Sequence, residues 1–120
     1  MASPDELATF IASSFRSIWA LELLLLLKRE ERACSTEELV STMRSSGSVV
    51  DSALDTLVSA GLAGREGSTA TYMPVSPEVA GLVEETERLY RSKPDRVRRL
   101  IIASSNRGLA AFSDAFRLKD

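Results

Sequence analysis

The fold of this chain is decided by residues 35–73, which read STEELVSTMRSSGSVVDSALDTLVSAGLAGREGSTATYM. A helix is predicted to begin at Ser35, because a serine followed closely by glutamates is a typical helix start. Residues 45–47 predict a tight turn, since their composition is Ser-Ser-Gly. A second helix is predicted to begin at Ser48 and to end at Gly61. The apolar face of this second helix is predicted to consist of Val49, Val50, Ala53, Leu54, Leu57 and Val58.

The segment that follows the second helix has the pattern of a small β-hairpin. Residues 62–65 and 69–73 predict two strands, which are joined by a turn at residues 66–68. Helix, turn, helix and hairpin in this order predict a mainly α-helical fold, a winged helix-turn-helix with a small two-stranded β-wing and flanking N- and C-terminal helices. The core of the motif is predicted to contain Trp19, Leu39, Met43, Val50, Leu54 and Leu57.

Helical periodicity continues on both sides of the motif. Ser3 and Pro4 predict the start of a first helix, and Pro94 interrupts the helical pattern after the hairpin. The pattern leaves open whether one helix or two precede the motif. The chain is predicted to divide into an N-terminal helix at 1–16, the winged helix domain at 17–75, C-terminal helices for dimerisation or packing at 76–104, and a tail helix at 105–120.

Two apolar stripes lie outside the motif, one in the N-terminal helix and one after the hairpin. Together they are more than a small domain needs to cover itself, so we expect a homodimer. Its interface is predicted to include Phe10, Ile11, Leu82, Val83 and Leu89.

The composition excludes several classes of function. The chain has 120 residues, a net charge of −2, no histidine and a single cysteine, Cys34. Without histidine, most zinc sites and Ser–His or Cys–His catalysis are excluded. A single thiol cannot form an internal disulfide, and Cys34 is interpreted as a small core residue. No signal peptide or membrane-spanning run is recognisable, so we expect a cytoplasmic protein.

No set of residues suggests catalysis. The acidic neighbours Glu84 and Glu85 are consecutive, and consecutive helical residues diverge by about 100°, which does not favour an acid–base pair. The glycines at 61, 64 and 67 are not followed by the lysine of a phosphate loop. We therefore expect neither an enzyme nor a cofactor or metal.

The second helix of the motif is the predicted DNA-reading helix. In helix-turn-helix proteins this helix enters the major groove, and the residues that face away from the core contact DNA. Here the outward residues are predicted to be Ser48, Asp51, Ser52, Asp55, Thr56 and Ser59. Contacts with double-stranded DNA are predicted at Arg44, Ser46, Ser48, Ser52, Thr56 and Arg65, with Arg96, Arg98 and Arg99 holding phosphates.

The charge of the motif favours a second interpretation. Residues 34–74 contain two basic and five acidic side chains, and Asp51 and Asp55 would face the phosphates. Positive charge is concentrated at residues 87–120, with nine basic and four acidic side chains. That cluster fits DNA phosphates, an acidic partner or a solvated helix face. The alternative is therefore a winged helix protein–protein interaction module without direct DNA binding.

Residues 17–77 resemble the winged helix domains of the MarR and ArsR groups of bacterial regulators. The resemblance is carried by the helix starts at Ser35 and Ser48 and by the segment LDTLVSAGL at residues 54–62. It implies a bacterial, cytoplasmic DNA-binding transcription regulator that forms a homodimer through its terminal helices. The cysteine and histidine pairs of the ArsR metal sensors are absent, so the resemblance implies no metal response.

Overall fold

A computed structural model describes residues 2–104 of the chain. Within these residues the fold is mainly helical, as predicted, with six helices and a three-stranded antiparallel sheet. The elements are α1 (Pro4–Ser14), α2 (Ile18–Glu30), β1 (Cys34–Ser35), α3 (Thr36–Met43), α4 (Gly47–Ser59), β2 (Ala63–Glu66), β3 (Thr69–Tyr72), α5 (Pro77–Ser92) and α6 (94–104). The predicted tail helix at 105–120 lies outside the described residues.

Serine side chains cap the starts of the first five helices. In each case the hydroxyl accepts a hydrogen bond from the backbone N–H three residues further on, which satisfies one of the unpaired donors of a helix start. The capping residues are Ser3, Ser17, Ser35, Ser46 and Ser76. The caps at Ser3 and Ser35 confirm two predicted helix starts. The bend of 103° between α1 and α2 shows that two helices precede the motif.

The turn between α3 and α4 lies one residue earlier than predicted. Arg44 ends α3 in a left-handed conformation with φ of 52°, and Ser46 already caps α4 by accepting from the Val49 N–H at 3.3 Å. The predicted start at Ser48 is therefore wrong by one residue, since α4 begins at Gly47. Ser46 and Ser48 are both good caps by residue type, and the fold uses the first of them.

The sheet has one strand more than predicted. The β2–β3 hairpin has the predicted position within one residue, but β1 adds to its other edge and gives the order β1-β3-β2. The Thr36 N–H also donates to the Ser68 carbonyl at 2.8 Å, which extends this edge beyond the ladder. A strand of two residues is too short to produce an alternating pattern, so no periodicity in the sequence predicts it.

The core lies between α2, α3 and α4. Leu39, Val50, Leu54 and Leu57 are buried as predicted, and Met43 packs against them while partly exposed. The prediction for Trp19 is wrong, because its side chain is 47% exposed. Trp19 lies in the first turn of α2, at the edge of the core, where it lines surface clefts.

The apolar face of α4 is narrower than predicted. Val49 and Val58 were assigned to it, but their side chains are 37% and 41% exposed. They lie at the margins of the buried stripe that Val50, Leu54 and Leu57 form, where α2 and α3 do not cover the side chains. An apolar side chain at the margin of a helix face is indistinguishable in sequence from one at its centre.

The stripes predicted to form a dimer interface are largely covered by the chain itself. Helix α1 packs against α5, so Ile11 and Val83 are 0% and 1% exposed. The prediction that these two residues contact a second copy is wrong, because both lie inside the domain. Phe10, Leu82 and Leu89 remain partly exposed. A homodimer remains a prediction. The excess of apolar surface from which it was inferred is smaller than expected, because Ile11 and Val83 are buried within the chain.

The helices of residues 2–104 are short relative to the thickness of a lipid bilayer. No single helix among them is long and apolar enough to cross a membrane, and α1 and α2 reach the required length only as a bent pair.

Candidate nucleic-acid interface

Helix α4 separates a buried face from a polar outer face. Its inner side chains pack on α2 and α3, whereas its outer face carries the hydroxyl and carboxyl groups that were predicted to point away from the core. The outer face consists of Ser48, Asp51, Ser52, Asp55, Thr56 and Ser59, all at least partly exposed. The outer face of α4, as defined by these six residues, is the candidate site.

The two aspartates of this face are paired with an arginine from the neighbouring hairpin. Arg65 in β2 donates from Nη2 to Asp51 Oδ1 at 2.5 Å and from Nη1 to Asp55 Oδ1 at 3.3 Å. From the sequence, Asp51 and Asp55 were interpreted as unpaired negative charges, and Arg65 was predicted as a separate contact to DNA. The structure corrects both views, since the three groups form one cluster with a net charge of −1.

This ion-pair cluster is accessible to solvent. The exposed fractions of the side chains are 28% for Arg65, 51% for Asp51 and 77% for Asp55. Exposed pairs of this kind contribute about 0–1 kcal/mol each and are weakened by salt. A phosphate that approaches Arg65 therefore competes with weak partners.

The hydroxyl groups of the site are partly engaged with one another and with the backbone. Thr56 Oγ1 donates to the Ser52 carbonyl at 3.1 Å, and the Ser46 and Ser48 hydroxyls lie 3.1 Å apart. A hydroxyl has one donor and two acceptor positions, so each can still bind an additional group. Arg44 lies beside Ser46 in the preceding turn, with an exposed side chain.

Sequence reasoning missed one basic residue of this region, Arg16. It lies at the corner between α1 and α2, and it lines two neighbouring clefts together with Ser52 and Thr56 of α4. The Asp55 cleft, of about 430 Å³, is lined by residues that include Ser13, Arg16, Ser52, Asp55, Thr56 and Ser59. The Trp19 cleft, of about 380 Å³, is lined by residues that include Arg16, Ser17, Trp19, Ser48, Ser52 and Thr56.

No local signal pointed to Arg16. It precedes Ser52 by 36 positions, and it sits in a stretch whose apolar spacing predicts helix and nothing else. Only the packing of the α1–α2 corner beside α4 brings the two residues to one surface.

No match to this chain was found among protein-family models, curated proteins or solved structures. The functional argument therefore rests on the residues and their geometry.

The arginines of α6 belong to a different surface. Arg98 forms an ion pair with Asp95 at 3.3 Å and lies over the ring of Tyr90, 5.8 Å from its centroid. Arg99 Nε donates to the Asp95 carbonyl at 3.3 Å, and Arg96 lines a cleft formed with α1 and α5. The structure thus does not group these predicted phosphate contacts with the outer face of α4.

The groups whose pKa values are shifted lie outside the outer face of α4. Burial raises the pKa of the Cys34 thiol, which disfavours a reactive thiolate and agrees with its interpretation as a core residue. Burial also raises the pKa of Tyr72, whose hydroxyl is buried without a hydrogen-bond partner among the described residues. Within residues 2–104, no three His, Cys, Asp or Glu side chains come close enough to hold a metal ion.

Proposed function

We propose that this chain is a cytoplasmic DNA-binding transcription regulator of the winged helix-turn-helix type. Helix α4 would enter the major groove, and the β2–β3 hairpin would act as the wing beside it. The observation that carries the proposal is the bridge from Arg65 of the hairpin to Asp51 and Asp55 of α4. This bridge places one positive charge beside the two aspartates that opposed DNA binding in the sequence, and it leaves the cluster with a net charge of −1.

The charge balance near α4 supports this proposal. Arg44 lies in the turn before α4, and Arg16 lines the clefts beside this helix. Arg65 bridges to Asp51 and Asp55, which are the only acids of the outer face of α4. Of the other acids counted in the motif, Glu38 is paired with Arg32 at the start of α3. Phosphate contacts supply most nonspecific affinity for DNA, and three arginines can contribute such contacts.

The polar residues of the outer face suit a reading role. Serine hydroxyls contact either bases or phosphates, so Ser48 and Ser52 can do both. The Thr56 O–H already donates to the Ser52 carbonyl, so its oxygen can accept from a base amino group. Because few cations are available, we expect modest affinity and a shallow dependence on salt. A homodimer with two copies of α4 would increase affinity for a palindromic site.

One observation favours the alternative, a protein-interaction module. Trp19 and Val49 are exposed apolar side chains that line the same cleft beside α4. Aromatic and apolar groups in the centre of a polar surface are typical of protein interfaces. In that case Asp51 and Asp55 would attract basic side chains of the partner.

The test is a salt titration of binding to random duplex DNA, followed by fluorescence anisotropy. Thr56→Ala and Arg65→Ala should weaken binding, and Arg65→Ala should also lower the slope of log K against log salt by about one unit. Arg91→Ala is the matched control, because Arg91 is an exposed arginine of α5 that also pairs with a carboxylate.

Two results would contradict the proposal. The first is an absence of duplex binding by the parent at low salt and tens of micromolar protein. The second is equal affinity of the parent, Thr56→Ala and Arg65→Ala, which would show that the outer face of α4 is not the reader.

A further inference from the structure

Asp55 lies near the centre of the outer face of α4. Successive helical residues are rotated by about 100°, which places Asp51 and Thr56 at the two margins of this face and Asp55 between them. The side chain of Asp55 is 77% exposed, whereas that of Asp51 is 51% exposed. Of the two carboxylates, Asp55 is therefore the one that protrudes further toward a base pair in the groove.

The bridge to the hairpin restrains Asp55 without occupying both of its oxygens. Arg65 Nη1 donates to Asp55 Oδ1 at 3.3 Å, while Nη2 donates to Asp51 Oδ1 at 2.5 Å. The bridge leaves Asp55 Oδ2 as an acceptor, because each carboxylate oxygen accepts independently. A side chain that is already held in place loses less conformational freedom when it binds. The shorter contact anchors Arg65 at the margin, and the longer one reaches the central carboxylate.

The chemistry of a carboxylate restricts the base that it can contact. An ionised carboxylate accepts hydrogen bonds but cannot donate them. In the major groove the donors are the N4 amino group of cytosine and the N6 amino group of adenine, whereas guanine and thymine present acceptors. Adenine also presents the N7 acceptor beside its amino group, and this lone pair repels a carboxylate. Cytosine has no acceptor on its own major-groove edge, so it is the favoured base.

We infer that Asp55 accepts a hydrogen bond from the N4 amino group of a cytosine in the major groove. Asp51 and Arg65 hold it in position for this contact. This inference rests on the proposed function, and it makes Asp55 a specificity-determining residue. The negative charge that weakens binding to phosphates then has a use, because guanine or thymine at the same position would place an acceptor against the carboxylate.

The test compares the base preferences of the parent, Asp55→Asn and the matched control Asp51→Asn by selection from a randomised duplex library. Both variants lose one negative charge and one partner of Arg65, so both should bind random duplex more tightly than the parent. The parent and Asp51→Asn should enrich cytosine at one position. Asp55→Asn should enrich adenine there, because an amide accepts from N6 and donates to N7.

Affinities for the selected duplex measure the size of the preference. Exchange of the selected C·G pair for A·T should weaken the parent about fivefold or more, as a mismatched pair typically does, and should not weaken Asp55→Asn. Arg65→Lys keeps the charge but not the planar fork that reaches two carboxylates, so it should keep the salt slope and enrich cytosine less strongly. An unchanged enrichment in Arg65→Lys would show that the bridge does not position Asp55.

The outcomes separate this inference from the proposed function. A parent that does not bind duplex DNA overturns both. A parent that binds duplex without preferring any base, or an Asp55→Asn variant that keeps the preference for cytosine, overturns only the role of Asp55. A preference that changes in Asp51→Asn instead also overturns it. If the melting curve shows that Asp55→Asn does not fold, Asp55→Ala replaces it. Loss of the cytosine preference in Asp55→Ala supports the inference, and a retained preference overturns it.

Discussion

The outer face of α4 and the surface of α5 and α6 are both rich in charged side chains, but the partners of these side chains come from different elements in the two regions. At α4, Arg65 reaches from a strand to two aspartates of a helix, and Arg16 approaches from a distant corner. At α6, Arg98 and Arg99 contact Asp95 of their own helix. The first arrangement builds a surface from several elements, whereas the second is the solvated pattern of one amphipathic helix.

This difference shows that counts of charge along a sequence do not locate a binding surface. The count placed a deficit of positive charge at the motif and an excess at the C-terminal end of the chain. In the fold, Arg65, which this count already includes, lies beside Asp51 and Asp55, and Arg16 is brought to the same region from outside the counted segment.

The largest effect is expected on the buried side of α4. Leu54 is fully buried between α4 and its neighbours, so Leu54→Ala should lower the free energy of unfolding by roughly 2–5 kcal/mol. Val58→Ala is the control on the same helix, because Val58 is largely exposed and its truncation should change stability by about 0.5 kcal/mol or less. Equal denaturation midpoints for Leu54→Ala and the parent would show that the orientation of α4 is wrong.

A slightly smaller effect is expected where α1 meets α5. Ile11 is buried inside the chain, so Ile11→Ala should destabilise the protein by about 2–4 kcal/mol at every protein concentration. If Ile11 instead lies in a dimer interface, the melting temperature of the parent will rise with concentration and the cost of Ile11→Ala will depend on it. Melting curves over a hundredfold range of concentration distinguish the two cases.

The local features of the fold were predictable from sequence. The serine caps at Ser3 and Ser35, the break at Pro94 and the β2–β3 hairpin all depend on residues within a few positions of one another. Such features are encoded by capping and by turn chemistry, which act locally. The prediction therefore succeeded where the cause lies within one turn of the chain.

Apart from the start of α4, the features that were wrongly predicted depend on contacts between distant elements. Whether Trp19 is buried depends on what covers the first turn of α2, and whether Ile11 is accessible depends on the position of α5. The bridge from Arg65 to Asp51 requires the hairpin to lie against α4, and periodicity carries no information about that packing. The candidate site was therefore predicted residue by residue, but its electrostatics were not.

The double change Asp51→Asn and Asp55→Asn tests whether DNA contacts the outer face of α4. The change removes two negative charges and releases Arg65 for phosphates, so random duplex should be bound about three- to tenfold more tightly at low salt, where screening is weak. The matched control is Asp95→Asn, which removes the carboxylate partner of Arg98 on α6 and should change affinity far less.

The measurement is duplex binding by the parent, the double variant and the control, with capture of protein partners from native lysate in parallel. The account predicts tighter DNA binding by the double variant and no loss of a protein partner. It is contradicted if neither form binds duplex DNA and the double variant loses a protein that the parent captures, because the outer face of α4 would then serve a protein partner.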